Sequence, residues 1–431
     1  LDEQPSTAEL TLLLQAARSR TLEFAGTVSG ARLLGPKLAI VNPPLWEIGH
    51  LGWFQEHWCL RHRIFGDRPP SALAGADELY DSAAVPHASR WSLPLPDIDA
   101  TLGYLARVQA RVLERLAHEG PTPHLSYFIQ LAAFHEEMHC EAFTYTRQTL
   151  AYAAPPATPP ATSTAAGPHP GDVEVNGGAF LLGAPQDGTG FVFDNEKWAH
   201  PVKVPPFRIA RAPVTNAEFL AFVEDRGYLR RELWSAAGWR WREEAAAAAP
   251  VYWRAEGGRW LQRHYDHYLN LPPHTPVVHV NWFEADAWCR WARRRLPTEA
   301  EWEFAAAAGG AKRKYPWGDA APGPALANLF GPLGTCADVA AYPEGDSASG
   351  CRQLIGNVWE WTADWFGPYP GFTPDPYREY SQPWFGDHKV LRGGCHATRA
   401  TLLRNTWRNF YKPDRRDVFA GFRTCSLRAD D

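Results

Sequence analysis

The sequence predicts an α+β chain in two domains, a four-helix bundle followed by a mixed domain of short strands, helices and irregular structure. Three observations point there. Apolar residues recur at helical spacing in four stretches of the first 150 residues. A Pro/Ala/Thr segment interrupts the chain at 153–170. Residues 171–431 then turn rich in Gly, Pro and Trp, with short apolar runs between turn signals. A chain of 431 residues is long enough for two or three domains.

The elements follow in order. Residues 7–25 carry apolar positions at helical spacing and predict the first helix. The second, over 43–65, opens on Pro43-Pro44, which suits a helix start, and continues through LWEIGHLGWFQEHWCLRHRIF. Residues 66–96 hold Pro and Asp signals and read as a loop crossing one end of the bundle. Over 97–118, Leu102, Leu105, Val108, Val112 and Leu116 follow a 3–4 periodicity, and 124–150 repeats the pattern. Four such helices predict a bundle over 1–152. The segment AAPPATPPATSTAAGPHP, 153–170, cannot bury a core and is expected to be a semi-rigid linker. In 171–431 the runs GGAFLLGA, VKVPPFRIA and HKVLRGG predict strands, and helices are expected over 215–226, 281–294 and 298–308; no internal repeat is visible.

Bulk properties narrow the function. Hydrophobic content of 45% and charged content of 21% are ordinary for a soluble globular protein. A net charge of −5 makes no electrostatic case for nucleic acid. No apolar run approaches the roughly 20 residues that span a bilayer, so no membrane partner is expected. The start at Leu1 has neither a charged n-region nor an apolar h-region, and no signal peptide is expected. Seven cysteines without a CxxC pair predict a reduced, cytoplasmic protein rather than a disulfide framework. The 20 Trp, 21 Phe and 15 Tyr are either core or the walls of a pocket for a cation. The oligomeric state is not legible.

The chemistry concentrates in the fourth helical stretch, His135-Glu136-Glu137-Met138-His139. Positions i and i+4 share a helix face about 6 Å apart, so both imidazoles can serve one metal ion. The string also fits HExxH, in which Glu136 would be the base of a zinc hydrolase. His50 lies in the second stretch within the apolar string Ile48-Gly49-His50-Leu51-Gly52. Such a histidine is often a plain core residue, yet three inward histidines from two helices of one bundle suit a metal site. His57, seven residues on, is the rival third ligand, and Glu141 a candidate fourth.

The pairing of GHLGWFQEHW with HEEMHCE resembles the DinB-like iron domain of the ergothioneine-type sulfoxide synthases. The second half resembles the formylglycine-generating-enzyme fold, a C-type-lectin-like scaffold. Its strings are FDNE (193–196), PVTNAEF (213–219), VNWFEADAWCRW (280–291), LPTEAEWEFAA (296–306), YPWG (315–318), GNVWEWT (356–362), VLRGG (390–394) and GFR (421–423). The resemblance covers nearly the whole chain. It implies that His50, His135 and His139 hold iron(II), with oxygen as co-substrate and hercynine (trimethylated histidine) as substrate. It makes Tyr377, in Pro376-Tyr377-Arg378-Glu379-Tyr380, the catalytic residue, a phenol able to supply a proton as a C–S or C–Se bond forms. Tyr380 and Met138 would line the same pocket. Asn409 would hydrogen-bond the substrate, and Phe410 would face its trimethylammonium group, which recognises aromatic faces.

The chain departs from family members that use γ-glutamylcysteine. Those carry an arginine pair before the third helix; here one position is His87 and only Arg90 remains. Their acidic residue near the C-terminus is Tyr411 here. Losing a cation and an anion disfavours a zwitterionic peptide and suits a less charged donor. The tail from Asn409 to Cys425 resembles the branch that includes selenoneine synthase, which implies a selenosugar such as 1-selenoglucose as donor. The alternatives are a C–S bond to cysteine or another thiol, the HExxH zinc hydrolase, and a non-catalytic binding module. Cys395 follows VLRGG, but no second cysteine follows within reach, and no catalytic role is expected for it.

Overall fold

The computed structural model describes residues 5–62, 69–155, 165–187, 190–329 and 334–428. Contacts divide the chain into two compact units. The first is Leu1–Leu150 with Gly188–Phe191; the second is Ala151–Asp187 with Val192–Asp431.

The first unit is built on four long helices: α1 (Thr7–Ala25), α2 (Pro44–Glu56), α4 (Ile98–Glu119) and α5 (Pro123–Leu150), with a short α3 (Ala76–Tyr80) between α2 and α4. Each start has a local cause. Ser6 and Glu9 form a capping box on α1, Pro44 takes the first turn of α2, and the Asp97 side chain accepts the Ala100 N–H of α4. Leu105, Val108, Val112 and Leu116 of α4 are buried, the stripe that their spacing predicts. Beyond Glu56 the helix loosens into a π-type turn, His57–Arg61. Residues 63–68 lie outside the described residues, and the segment 69–96 is more than a loop across one end. Its α3 lies along α2, where the Asp77 carboxylate accepts from Trp53 Nε1 at 2.6 Å and from Arg61 Nη2 at 2.7 Å. Two glycines of α2 permit the close approach. A Cβ on Gly49 would fall 2.3 Å from the Tyr80 ring, and one on Gly52 would fall 2.7 Å from Leu105.

The second unit holds two four-stranded sheets. One runs in the order Asp172–Val175, Phe207–Ala210, Cys425–Ser426, Arg294–Arg295, all antiparallel. The other runs Asn409–Tyr411, Lys389–Arg392, Trp359–Trp365, Ala420–Gly421, with the last pair parallel. Gly178–Leu182 pairs with His200–Val204, and Trp253–Asn270 forms a three-stranded meander. The helices are α6 (Asn216–Glu224), α7 (Ala236–Glu244), α8 (Trp282–Trp291) and α9 (Glu299–Ala306). Three of the recognised strings are capping boxes: Thr215 with Glu218, Asn281 with Glu284, and Thr298 with Glu301. Of the linker, 156–164 lie outside the described residues. Its end is tied down, since Gly167 N–H donates to Asp338 at 2.9 Å.

Candidate metal centre

The first unit brings His50 of α2 and His135 and His139 of α5 together. One ring nitrogen from each lies within 4.8 Å of the others, and the Nε2 atoms of His50 and His135 are 3.3 Å apart. Nitrogens sharing an ion at about 2.1 Å in neighbouring positions sit about 3 Å from each other, so this spacing fits a common metal. Among the described residues the group contains these three only. The rival His57 and the candidate fourth ligand Glu141 are outside it. Glu141 is two positions past His139, which turns it off the ligand face.

The rings are held by their other atoms. His50 Nδ1–H donates to the Tyr80 carbonyl at 2.8 Å, and His139 Nδ1–H donates to Glu47 Oε1 at 2.6 Å. With Nδ1–H engaged by an oxygen acceptor, each ring keeps its Nε2 lone pair for a metal. His50 stacks on Trp46 with ring centroids 5.1 Å apart, and His135 stacks on Phe54 at 3.6 Å and 4°. Burial, with the neighbouring imidazoles adding to it, drives His50 down to about 3 and His135 well below the usual histidine range. Both rings are therefore neutral at physiological pH, the protonation state that a ligand needs. This donor set fits a divalent transition metal with coordination positions left open.

Glu136 does not serve this centre. Its Oε1 accepts from Arg18 Nε and Thr21 Oγ1, both at 2.7 Å, and its Oε2 from Arg18 Nη2 at 3.1 Å. A carboxylate held bidentate in the bundle core is not poised as the base of an HExxH hydrolase. Met138 is half-buried beside His139. Arg90 and His87 hydrogen-bond to their own loop and to the segment just before α2. Arg90 donates to Asn42 Oδ1 at 2.6 Å and to the Ser82 and Val85 carbonyls, with its guanidinium 3.8 Å over the Trp46 ring. His87 Nε2–H donates to the Val41 carbonyl at 2.8 Å.

The second unit gathers the other expected site residues. Tyr377 precedes a 3-10 turn that ends at Tyr380, with the two ring centroids 6.2 Å apart; Tyr380 meets Phe410 edge-on at 6.0 Å. Phe410 stacks on Phe366 at 4.0 Å and 11° and meets His388 edge-on at 6.0 Å, so it stands in an aromatic cluster. Asn409 and Tyr411 flank Phe410 on the same strand, paired with Leu391 and Lys389. All five are half-buried. Burial pushes the Tyr380 phenol up.

Sequence reasoning missed the residues that orient the ligands, namely Glu47, Trp46, Phe54 and the Tyr80 carbonyl. A signal existed for Glu47, which precedes His50 by three residues and so shares its helix face. None existed for Tyr80, whose contribution is backbone.

Two family patterns match the chain. The DinB superfamily covers residues 13–143, and the sulfatase-modifying factor enzyme 1-like domain covers 158–427. The hercynine oxygenase of Mycolicibacterium thermoresistibile is 42% identical over 432 residues, 97% of this chain and 95% of that protein. That of Mycobacterium tuberculosis is 40% identical over 429 residues, 97% and 98% of the two chains. The formylglycine-generating enzyme of Streptomyces coelicolor is 36% identical over 312 residues, 65% of this chain and 98% of that enzyme.

Proposed function

Because the chain belongs to the hercynine oxygenase family, a DinB-type domain joined to a sulfatase-modifying-factor-type domain, we propose that it is an iron(II)- and oxygen-dependent enzyme joining a chalcogen donor to the imidazole ring of hercynine. The observation that carries the proposal is the convergence of His50, His135 and His139, with two rings oriented through Nδ1 by acceptors. Iron(II), when bound, supplies one-electron chemistry with dioxygen and a Lewis-acidic centre for the donor. The chain's own residues do the rest. Tyr377 holds the phenolic proton that is delivered as the new bond forms. Tyr380 and Phe410 offer aromatic rings to the trimethylammonium group, and Asn409 hydrogen-bonds the polar end of hercynine. Tyr377→Phe keeps hercynine affinity and slows or redirects bond formation; an unchanged rate and product would remove the phenol from the mechanism.

For the donor we propose a selenosugar. A sugar donor carries no carboxylate or ammonium and needs no free cation, and the guanidinium of Arg90 is already held by three oxygen acceptors and the Trp46 ring. The second reading, a C–S bond to cysteine or another thiol, is favoured by the full-length identity to hercynine oxygenases. The test offers iron(II)-loaded protein hercynine and air with 1-selenoglucose, cysteine or γ-glutamylcysteine, and reads product mass. A selenium adduct with 1-selenoglucose is expected; turnover with cysteine alone assigns the sulfur reaction. We also place the protein in the cytoplasm; in the structure no helix among the described residues is long and apolar enough to cross a membrane.

A further inference from the structure

The short turn Asp194–Glu196 holds both segments that carry the expected substrate-side residues of the second unit. On one side it grips 375–381. The Asp194 carboxylate accepts the Ser381 hydroxyl at 2.5 Å, with both residues buried. The Lys197 ammonium donates to both oxygens of Asp375, at 2.8 and 2.7 Å. The Phe193 ring stacks on Tyr380 at 4.3 Å and 22°. Tyr377 sits between these anchors, six residues apart at Asp375 and Ser381. On the other side the turn grips 404–408, the lead into Asn409. Glu196 accepts from Arg404 Nε and from Thr406 Oγ1, both at 2.7 Å, and the Asn195 carbonyl accepts from Arg408 at 2.8 Å.

We propose that Asp194 is a positioning residue for this site: through Ser381 it fixes the 375–381 segment, and with it Tyr377, against the strand that carries Asn409 and Phe410. The physical reason is the conformation of the segment. Apart from one 3-10 turn at Arg378–Tyr380 it has no regular structure of its own, and no strand of either sheet includes it. Its placement therefore depends on side-chain anchors, and the two at its ends both come from the 194–197 segment. Glu196 and Arg408 secure the partner strand independently, so loosening Asp194 moves one side of the site and not the other. This inference rests on the proposed role of Tyr377.

The test uses the full-length protein with Asp194→Ala, Asp194→Asn and Ser381→Ala. Hydrogen exchange read by peptide is expected to rise over 375–381 in Asp194→Ala and Ser381→Ala, with 409–411 unchanged. Asp194→Asn, whose amide oxygen still accepts from Ser381, restores protection. In iron-loaded turnover, Asp194→Ala lowers kcat by about tenfold to a hundredfold while the KM for hercynine moves little. Combining it with Tyr377→Phe adds nothing further, because both remove the same phenol from its place. Unchanged exchange over 375–381 overturns the proposal, as do effects of Asp194→Ala and Tyr377→Phe that multiply. If Asp194→Ala fails to fold, Ser381→Ala answers the same questions. If the wild type does not turn hercynine over, the proposed function fails, while the exchange comparison still decides whether Asp194 holds the segment.

Discussion

At the scale of single residues, the centre depends on which atom of each imidazole is occupied. Glu47 is buried and accepts from His139 Nδ1–H at 2.6 Å. Removing such an orienting carboxylate weakens metal binding by about 10–100-fold. Glu47→Ala should show that loss in an anaerobic iron(II) titration, with the helical signal intact; His139→Ala should lose the metal outright. His135 and His139 stood out because HExxH spacing is a helix-face rule, and His50 because it interrupts an apolar helical stretch. The Tyr80 carbonyl that orients His50 did not, because a backbone carbonyl thirty residues away leaves no mark in sequence. A second residue-scale effect lies at Asp194, where burial raises the carboxyl to about 6. The folded state then holds a proton that the unfolded chain has released, so this group's contribution to stability is full below about pH 4 and is lost as pH rises through 6. Asp194→Asn abolishes that loss. Measured by denaturant midpoint, the variant should gain on the wild type between pH 4 and 7, by up to a few kcal/mol; a flat difference would contradict the raised value.

At the scale of elements, α2 decides the site. Gly49 and Gly52 let α3 and α4 approach closely enough for the Tyr80 carbonyl to reach His50. Gly49→Ala places a methyl against the Tyr80 ring, an overpacking worth about 1–3 kcal/mol. It should lower the thermal midpoint and weaken iron binding together; a fall in stability with metal affinity intact would separate the two. The long helices were legible from their apolar stripes. The helix α7, AAGWRWREE, was not, because Gly238 is its one buried residue and no stripe forms. The Trp253–Asn270 meander was missed for the same reason, since Trp253 is its one buried strand residue. The VKVPPFRIA run forms two strands, split at Pro205-Pro206 where ladder donors are missing.

At the scale of the whole molecule, the most recognisable strings serve the scaffold. In LPTEAEWE and GNVWEWT, Trp302 donates to Glu360 at 2.8 Å, and Glu360 receives Arg423 of GFR at 2.7 Å. Glu299 receives Arg392 and Arg408 at 2.8 and 2.7 Å. Removing one partner of such buried pairs is strongly destabilising, by about 3–5 kcal/mol, which is why these motifs announce the fold and say little of the reaction. The sequence spoke to the chemistry only through the histidines, and the proposal for the donor rests on charges the chain lacks at His87 and Tyr411. The central claim is that His50, His135 and His139 together hold one iron(II). X-ray absorption of the anaerobic iron(II)-loaded protein tests it most directly. We expect one iron per chain with about three imidazole nitrogens at about 2.1 Å and light oxygen ligands completing the shell. A first shell with fewer than three imidazoles, or one left unchanged by His50→Ala, would contradict it.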